Sequence, residues 1–290
     1  MQALLITAYK NFEHLYELAS VFDEQMHVYI HIDKRSFIPK KMLAKLRELP
    51  QIKLISQKFK VFWGGFSHLR AILYLVREAQ CNKEIVRFHL ISGHDYPIKT
   101  FKEFDEFFRD NSATNYILNY KLPIAQWPNG GMERYEYYNL YDVIDAKKKR
   151  QYIFKAIEFQ KRLGIKRSMR YFNKPIYGGD TWWSLNREAV DYIIHFTREN
   201  PKFFSRHRHT FCSEEIYFQT ILCNSYLSDS LQNNSLRYID WSDRNGNFPA
   251  NLDSSDFKHL IHSEHFFARK FEVPISADLK ETIKNELFSN

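Results

Sequence analysis

Two adjacent carboxylates, Glu214 and Glu215, follow Ser213 at the start of a helix-like segment that runs to Cys223. Serine is a common N-cap residue, so this pattern places both acids in the first helical turn. The helix dipole there favours the ionised carboxylate that a general base needs. Successive helical side chains point about 100° apart, so only one of the two is expected to enter a cleft. The alternative is that both are ordinary acids at a helix start.

A pair of cations, Arg269 and Lys270, stands between aromatic residues late in the sequence. If the aromatic rings are buried, they hold the backbone and direct the cations inward, and inward-facing cations bind phosphate groups well. An isolated Arg-Lys pair is more often a surface feature. The sequence therefore predicts either a diphosphate site or a basic rim over a hydrophobic patch.

The segment His31–Arg35 contains one carboxylate, Asp33, followed by two cations. A DxD motif would need a second acid to hold a divalent ion on a diphosphate, so this segment is a poor metal site. The histidines near Cys212 match no common zinc spacing, and residues 206–209 are expected to form a basic surface loop. We therefore expect no metal and no cofactor, with cationic side chains neutralising any bound diphosphate.

The nine glycines form neither GxGxxG nor GxxxxGK[ST], and no GxSxG occurs. A dinucleotide cradle, a P-loop and an acyl-transfer serine elbow are thereby excluded.

Short apolar runs alternate with amphipathic segments over the first hundred residues. The runs predict buried strands at 3–8, 28–32, 52–55 and 87–91, and the segments predict helices at 11–22, 39–48 and 67–79. This order predicts an α/β fold with a mostly parallel sheet and helices on both faces. Ligands of such sheets bind at the carboxyl ends of the strands. Ala8, Asp33, Trp63 and Asp95 all stand at or just past such ends.

The later chain is expected to complete one compact domain. Residues 120–176 are rich in Tyr, Lys and Arg and predict an irregular inserted lobe. Regular patterns return with a strand at 182–185, helices at 187–198 and 213–223, and a short strand at 236–241. Adjacent strand side chains face opposite ways, so only one of Trp182 and Trp183 can face a ligand.

Composition predicts a folded basic protein of 290 residues with 44% hydrophobic residues and a net charge of +8. That charge suits a nucleotide sugar, a nucleic acid or an anionic membrane face. The basic residues are dispersed, with the densest run at Lys147–Arg150, so no nucleic-acid partner is expected. Three cysteines without CxxC favour a reducing compartment. The absence of a signal-peptide pattern and of a ~20-residue apolar run predicts a cytoplasmic protein, at most peripheral to the inner membrane.

Several segments, in order, resemble the family of core-2/I-branching β-1,6-N-acetylglucosaminyltransferases and peptide O-xylosyltransferases, glycosyltransferase family 14. The matching stretches are YIHIDKRS (29–36), WGG (63–65), LISGHDYPI (90–98), GGDTWW (178–183), SEE (213–215) with FQT (218–220), NNSLR (233–237) and FFARKF (266–271). Each is weak alone, but their order and spacing together are specific. The xylosyltransferase branch and its bacterial relatives are the nearest likeness.

The resemblance implies a GT-A-like fold, a UDP-sugar donor, inversion at the anomeric carbon and no metal. Glu215 would then be the catalytic base, chosen over its neighbour by the family pattern. The donor-binding residues would be Ala8, Asp33, Trp63, Arg237, Arg269 and Lys270, and the acceptor-binding residues would be Asp95, Trp182 and Trp183. About 1–119 would form a nucleotide-binding half, 120–176 an acceptor-side lobe, and 177–290 a catalytic and diphosphate-binding half.

This sequence also departs from the family. Val61 replaces a threonine of the xylosyltransferase branch, which removes a hydrogen bond to the donor, and residues 120–176 match little. We also expect no stem, membrane anchor or disulfides like those of the animal enzymes, which fits a bacterial cytosolic enzyme. The predicted function is transfer of a GlcNAc- or xylose-like sugar to a saccharide or lipid-linked acceptor in surface polysaccharide synthesis. The alternative is a non-catalytic nucleotide-sugar or carbohydrate-binding protein on a transferase fold.

Overall fold

The computed structural model describes residues 1–168 and 172–288. Its longer strands are β1 Gln2–Ala8, β2 Met26–Ile32, β3 Ile52–Ser56, β4 Arg87–Ser92 and β9 Trp183–Asn186. The short ones are β5 Asp95–Pro97, β6 Asn115–Ile117, β7 Tyr120–Lys121, β8 Tyr177–Gly178, β10 Leu231–Gln232, β11 Arg237–Ile239 and β12 Phe267–Arg269.

The helices are α1 Phe12–Ser20, α2 Lys40–Glu48, α3 Phe66–Gln80, α4 Phe101–Asp110, α5 Glu133–Glu136, α6 Ala146–Arg162, α7 Arg187–Glu199, α8 Pro201–Arg206, α9 Glu214–Cys223, α10 Phe257–Ile261 and α11 Ala277–Phe288. The five helices predicted from the sequence appear as α1, α2, α3, α7 and α9, and six further helices accompany them in the described part of the chain. Single 3₁₀ turns occur at Pro128–Gly131, His207–His209, Ser228–Ser230 and Ser254–Asp256.

The central sheet of the described chain has seven strands in the order β10-β6-β9-β4-β1-β2-β3. Strand β1 pairs in parallel with both β2 and β4, and β3 continues the parallel set. Strand β9 runs antiparallel to β4 and β6. The mostly parallel α/β fold predicted from the sequence is therefore confirmed.

Every side chain of β1 is buried, because helices cover both faces of this sheet. Leu4 and Ile6 pack on the face that carries α1, α2, α4 and α11, whereas Ala3 and Leu5 pack on the face that carries α3, α7 and α9. Alternation along the strand thus feeds two hydrophobic layers. Burying each large aliphatic side chain contributes about 1.5–3 kcal/mol.

A second, three-stranded sheet in the order β11-β12-β5 stands beside the ends of the central strands. Strand β5 begins three residues after β4 and pairs antiparallel with β12. This register places Arg269 opposite Asp95. The late cationic segment is thereby brought to the carboxyl edge of the central sheet.

The segment 120–176 is more regular than its composition predicts, and its residues 169–171 lie outside the described part. It contains the helix α6, which buries Ile153 and Ile157 one turn apart. So few apolar positions leave a weak helical pattern in sequence. Ile153 and Ile157 pack against Tyr137 and Tyr141, which precede the helix in the chain. In the described ranges, no helix is both long and apolar enough to cross a membrane.

Candidate active site

A cleft of about 1990 Å³ opens at the carboxyl ends of β1, β2 and β4, where parallel-sheet topology predicts a ligand site. Seven of the residues selected from the sequence line it: Ala8, Asp33, Trp63, Trp182, Glu215, Arg269 and Lys270. The other three, Asp95, Trp183 and Arg237, are not among its lining residues. The cleft thus brings together side chains that are up to 262 positions apart.

Glu215 faces this cleft with a side chain that is 24% exposed. Its Oε2 accepts a hydrogen bond of 2.5 Å from Nη1 of Arg134, a lobe residue that sequence reasoning missed. Burial raises the pKa of Glu215 to about 7, and nearby Glu214 adds to this, while Arg134 lowers it. A carboxylate with a pKa near neutrality is suited to general-base work.

Glu214 also lines the cleft, contrary to the expectation that one acid would point away. Only 4% of its side chain is exposed, and its Oε1 lies 3.0 Å from Nδ1 of His68. The other ring nitrogen of His68 is 3.3 Å from Oγ1 of Thr7. Glu214 is therefore tied into a buried polar chain, whereas Glu215 remains reachable.

Ser213 does not act as the predicted side-chain cap of α9. Its backbone is helical, with φ −59° and ψ −28°, and its buried Oγ has no hydrogen-bond partner in the described residues. The chain turns into the helix one residue earlier, at Cys212, whose φ is 47°. Glu215 N donates to Cys212 O at 3.0 Å, so both acids still lie in the first turn.

Arg269 and Lys270 face the cleft from the three-stranded sheet β11-β12-β5, here called the edge sheet. They therefore form the inward-facing pair rather than a surface rim. The guanidinium of Arg269 lies 4.3 Å from the centroid of the Trp182 ring. Burial, followed by the charge of Arg269, lowers the pKa of Lys270 to about 8. An anionic ligand would reverse this effect, since opposite charge stabilises the ammonium form.

Asp95 was expected to place the acceptor, and the structure contradicts direct contact. It is 1% exposed, and its Oδ2 accepts a hydrogen bond of 2.6 Å from Ser92 N. Its Oδ1 lies 3.3 Å from Nε of Arg269. Burial raises the pKa of Asp95 and Arg269 lowers it. Asp95 therefore supports the cation from behind.

Arg237 was expected to bind a diphosphate, but it is buried behind the sheet edge. Its guanidinium donates to the carbonyls of Leu90, Trp183 and Ser235 and to Oγ of Ser184, at 2.6–3.2 Å. Burial lowers its pKa to about 10. The residue clamps β11 to β4 and β9 and has no free face for a ligand.

Both tryptophans are buried and belong to the same hydrophobic cluster, but only Trp182 also lines the cleft. Trp183 is fully buried and its ring lies 5.5 Å from that of Phe218. Its predicted contact with an acceptor is therefore wrong. Trp182 borders the cleft under Arg269.

The donor-side predictions place Ala8, Asp33 and Trp63 along one wall of the cleft. The carboxylate of Asp33 is engaged by Arg35, whose Nη2 lies 2.6 Å from Oδ2. This pairing and the Arg35 backbone N–H hold the pKa of Asp33 below its usual range against the opposing effect of burial. Trp63 is half exposed and available for stacking.

Asp180 is a further cleft residue to which sequence reasoning assigned no role. Burial raises its pKa to about 6, and within the described residues its Oδ2 has no hydrogen-bond partner. The sequence feature that could have pointed to Asp180 is the pair of glycines before it, Gly178 and Gly179. A Cβ on Gly179 would lie 1.9 Å from Leu118 O, so only glycine allows the chain to pass there.

Within the described residues, one group of side chains is close enough together to offer donors to a metal ion. Cys212, Glu214 and Glu215 place one donor atom each within 4.8 Å of one another. Burial raises the pKa of the Cys212 thiol well above its usual range, and the thiolate is the form that binds metals. Glu215 already forms an ion pair with Arg134. The set therefore fits a divalent ion poorly.

The expected basic surface loop at 206–209 is wrong in its first half. Arg206 and His207 are buried, and the His207 ring lies 4.7 Å from Phe203 and 4.9 Å from Tyr217. His207 is a core histidine.

The strand ends of a mostly parallel sheet thus carry, on one cleft, a carboxylate whose pKa is raised toward neutrality and a pair of inward-facing cations. The chain belongs to the Core-2/I-branching enzyme family, whose model matches residues 3–266. This confirms the family expected from the sequence stretches.

Curated relatives include xylosyltransferase 2 of Canis lupus familiaris, 26% identical over 94% of this chain and 32% of that protein. Xylosyltransferase 2 of Homo sapiens is 24% identical over the same shares. The chain thus spans about a third of the length of these relatives. Among solved structures, mouse xyloside xylosyltransferase 1 in its apo form covers 92% of this chain and 97% of its own, at 14% identity and a TM-score of 0.36.

Proposed function

We propose that this chain is an inverting, metal-independent glycosyltransferase that moves a GlcNAc- or xylose-like sugar from a UDP-sugar to a saccharide or lipid-linked acceptor. The observation that carries the proposal is the presence of Glu215 and the Arg269–Lys270 pair on one cleft at the strand ends. The family supports it, as does the naming of its curated relatives as xylosyltransferases.

The chemistry is a single displacement. An acceptor oxygen forms a bond to the anomeric carbon while the bond from that carbon to the diphosphate oxygen breaks. The acceptor hydroxyl proton passes to Glu215, and the negative charge of the departing UDP is stabilised by Arg269 and Lys270. Ala8, Asp33 and Trp63 border the same wall and would hold the nucleoside.

Cationic side chains take the place of a metal in this proposal. Arg269 is fixed between Asp95 and the Trp182 ring, so its guanidinium is preorganised for phosphate. The half-buried ammonium of Lys270 would gain from a diphosphate partner.

The acceptor side is assigned to Trp182, Asp180 and the lobe at 120–176. Asp180 lines the same cleft as Trp182. We place the reaction in surface polysaccharide synthesis in a bacterial cytoplasm, by analogy with the family. Contact with a membrane surface would be peripheral.

A thermal-shift panel of UDP, GDP, CMP and their sugars, run with and without EDTA, tests the donor class. We expect stabilisation by UDP and UDP-sugars alone, and release of UDP once an acceptor is supplied. Stabilisation by GDP or CMP instead of UDP would contradict the donor assignment. Binding of UDP without release from any donor would favour the non-catalytic alternative.

A further inference from the structure

A residue of the lobe, Arg134, makes direct contact with the proposed base. It belongs to the short helix α5, in the part of the chain where the sequence matches the family least. The contact joins positions 81 residues apart and measures 2.5 Å between Nη1 and Oε2 of Glu215. Only 18% of the Arg134 side chain is exposed.

The guanidinium of Arg134 is held in place independently of Glu215. Its carbon lies 3.7 Å from the centroid of the Trp127 ring and 5.1 Å from that of Phe211. The backbone carbonyl of Arg134 accepts hydrogen bonds from Phe211 N at 3.1 Å and Asn139 Nδ2 at 3.0 Å, which fixes the start of the side chain. Exposed ion pairs contribute little because both side chains lose freedom, but here the arginine is already ordered.

The ion pair leaves the two carboxylate oxygens of Glu215 with different surroundings. Oε2 is engaged by Arg134, whereas Oε1 accepts no hydrogen bond from any residue that the structure describes. A base needs one oxygen within hydrogen-bond reach of the acceptor hydroxyl. Oε1 is the oxygen available for that contact.

The groups that face Glu215 mostly disfavour its ionised form. Glu214 on its own segment and Asp180 from the loop before β9 both raise its pKa, whereas Arg134 is the positive group opposite them; the Cys212 thiol, whose own pKa is raised well above its usual range, stays uncharged. Without Arg134, burial and the neighbouring carboxylates would act unopposed.

We propose that Arg134 is a positioning residue that keeps Glu215 ionised in its buried setting and turns Oε1 toward the acceptor hydroxyl. The role rests on the proposed function of Glu215 as the base. It also makes the variable lobe part of the catalytic arrangement, since the lobe supplies the charge that holds the base.

The first test is the pH dependence of transfer in Arg134→Gln and Arg134→Lys. Removing the positive charge raises the pKa of Glu215, so the ionised base is lost at a higher pH. We expect the acid limb of kcat to move up by about one to two pH units in Arg134→Gln. The rate near neutral pH should fall about 10- to 100-fold and recover partly in alkali. Arg134→Lys, which keeps the charge, should lie between this variant and the wild type.

The matched control is Arg162→Gln, which removes an exposed arginine at the far end of α6 and should leave the profile unchanged. A UDP-induced thermal shift equal to that of the wild type checks that each Arg134 variant is folded. Acid limbs that coincide in Arg134→Gln and the wild type would overturn the positioning role.

The second test reads the carboxyl group directly and does not depend on turnover. In protein with ¹³C-labelled glutamate side chains, the Glu215 resonance is assigned by its loss in Glu215→Gln and followed against pH. We expect titration at a higher pH in Arg134→Gln than in the wild type and in Arg162→Gln. An unchanged titration overturns the inference even if transfer is normal. Because this readout needs no donor, a failure of the proposed transferase activity can be told apart from it.

Discussion

Two neighbouring glutamates differ in chemistry because their surroundings differ. Glu214 is almost fully buried, and its Oε1 lies beside Nδ1 of His68. Glu215 opens to the cleft and forms an ion pair with Arg134. A base must reach the hydroxyl that it deprotonates, so accessibility favours Glu215. Only the geometry of the cleft, and not helix position, separates the two.

We expect Glu215→Gln to lower kcat by about 10²- to 10⁴-fold, the contribution typical of a positioned general base. The amide has nearly the same shape but cannot take the proton. Transfer kinetics and UDP binding should be measured together, with binding of UDP retained. The matched variant is Glu214→Gln, for which we expect a loss of less than about tenfold. If Glu214→Gln is the inactive variant, the base has been misassigned.

At the scale of elements, β9 and the edge sheet divide the site into a binding face and a support. Trp182, just before β9, borders the cleft, whereas Trp183, the first residue of β9, is fully buried and packs on Phe218 of α9. Register across β5 and β12 sets Asp95 behind Arg269. Arg237 closes the same corner by bonding to carbonyls of β4 and β9. Residues that support the site therefore alternate with residues that face it.

The same substitution at the two tryptophans should separate these roles. Trp183→Ala should lower the free energy of unfolding by about 3–5 kcal/mol, because it empties a core position. Trp182→Ala should weaken UDP binding about tenfold, since Arg269 loses the ring beneath it, whereas Trp183→Ala should leave UDP binding nearly unchanged. Urea unfolding and UDP titration provide the two measurements. Equal losses of UDP affinity in both variants would refute the assignment of faces.

For the whole molecule, the lobe at 120–176 reaches across the cleft to the first half of the chain, residues 1–119. Lys147 lies 4.9 Å from the centroid of the Tyr9 ring, and Arg150 lies 5.3 Å from that of Trp63. The densest basic run of the sequence thus stands over the cleft wall that carries Tyr9 and Trp63. Cations therefore approach this cleft from both the edge sheet and the lobe.

This distribution of charge predicts that transfer does not depend on a divalent ion. We expect the rate of UDP release to be the same in EDTA as in added Mg²⁺ or Mn²⁺. Because cationic side chains are expected to do the work of a metal ion, Arg269→Gln should lower the affinity for UDP and raise KM for the donor about 10- to 100-fold, through loss of a charge-assisted contact. Isothermal titration with UDP and steady-state kinetics measure the two effects. A strict requirement for Mn²⁺ would contradict the metal-free mechanism.

Much of the fold could be predicted from sequence because its signals are local. Apolar runs such as 3–8 and 87–91 report buried parallel strands directly, and strand order implies where the carboxyl ends meet. Ala8, Asp33 and Trp63 were placed on the cleft by that reasoning. The helix α6 was missed because only Ile153 and Ile157 mark its buried face.

The sequence by itself determined the family, the parallel sheet and the residue types that reach its edge. Tertiary structure alone decided which of those residues line the cleft. Arg237 and Asp95 carry the charges expected of a site, yet both are used inside the protein. Arg134 carries no motif, yet it meets Glu215 across 81 positions. Periodicity is encoded over a few residues, whereas burial and ion pairing depend on segments that meet only after folding.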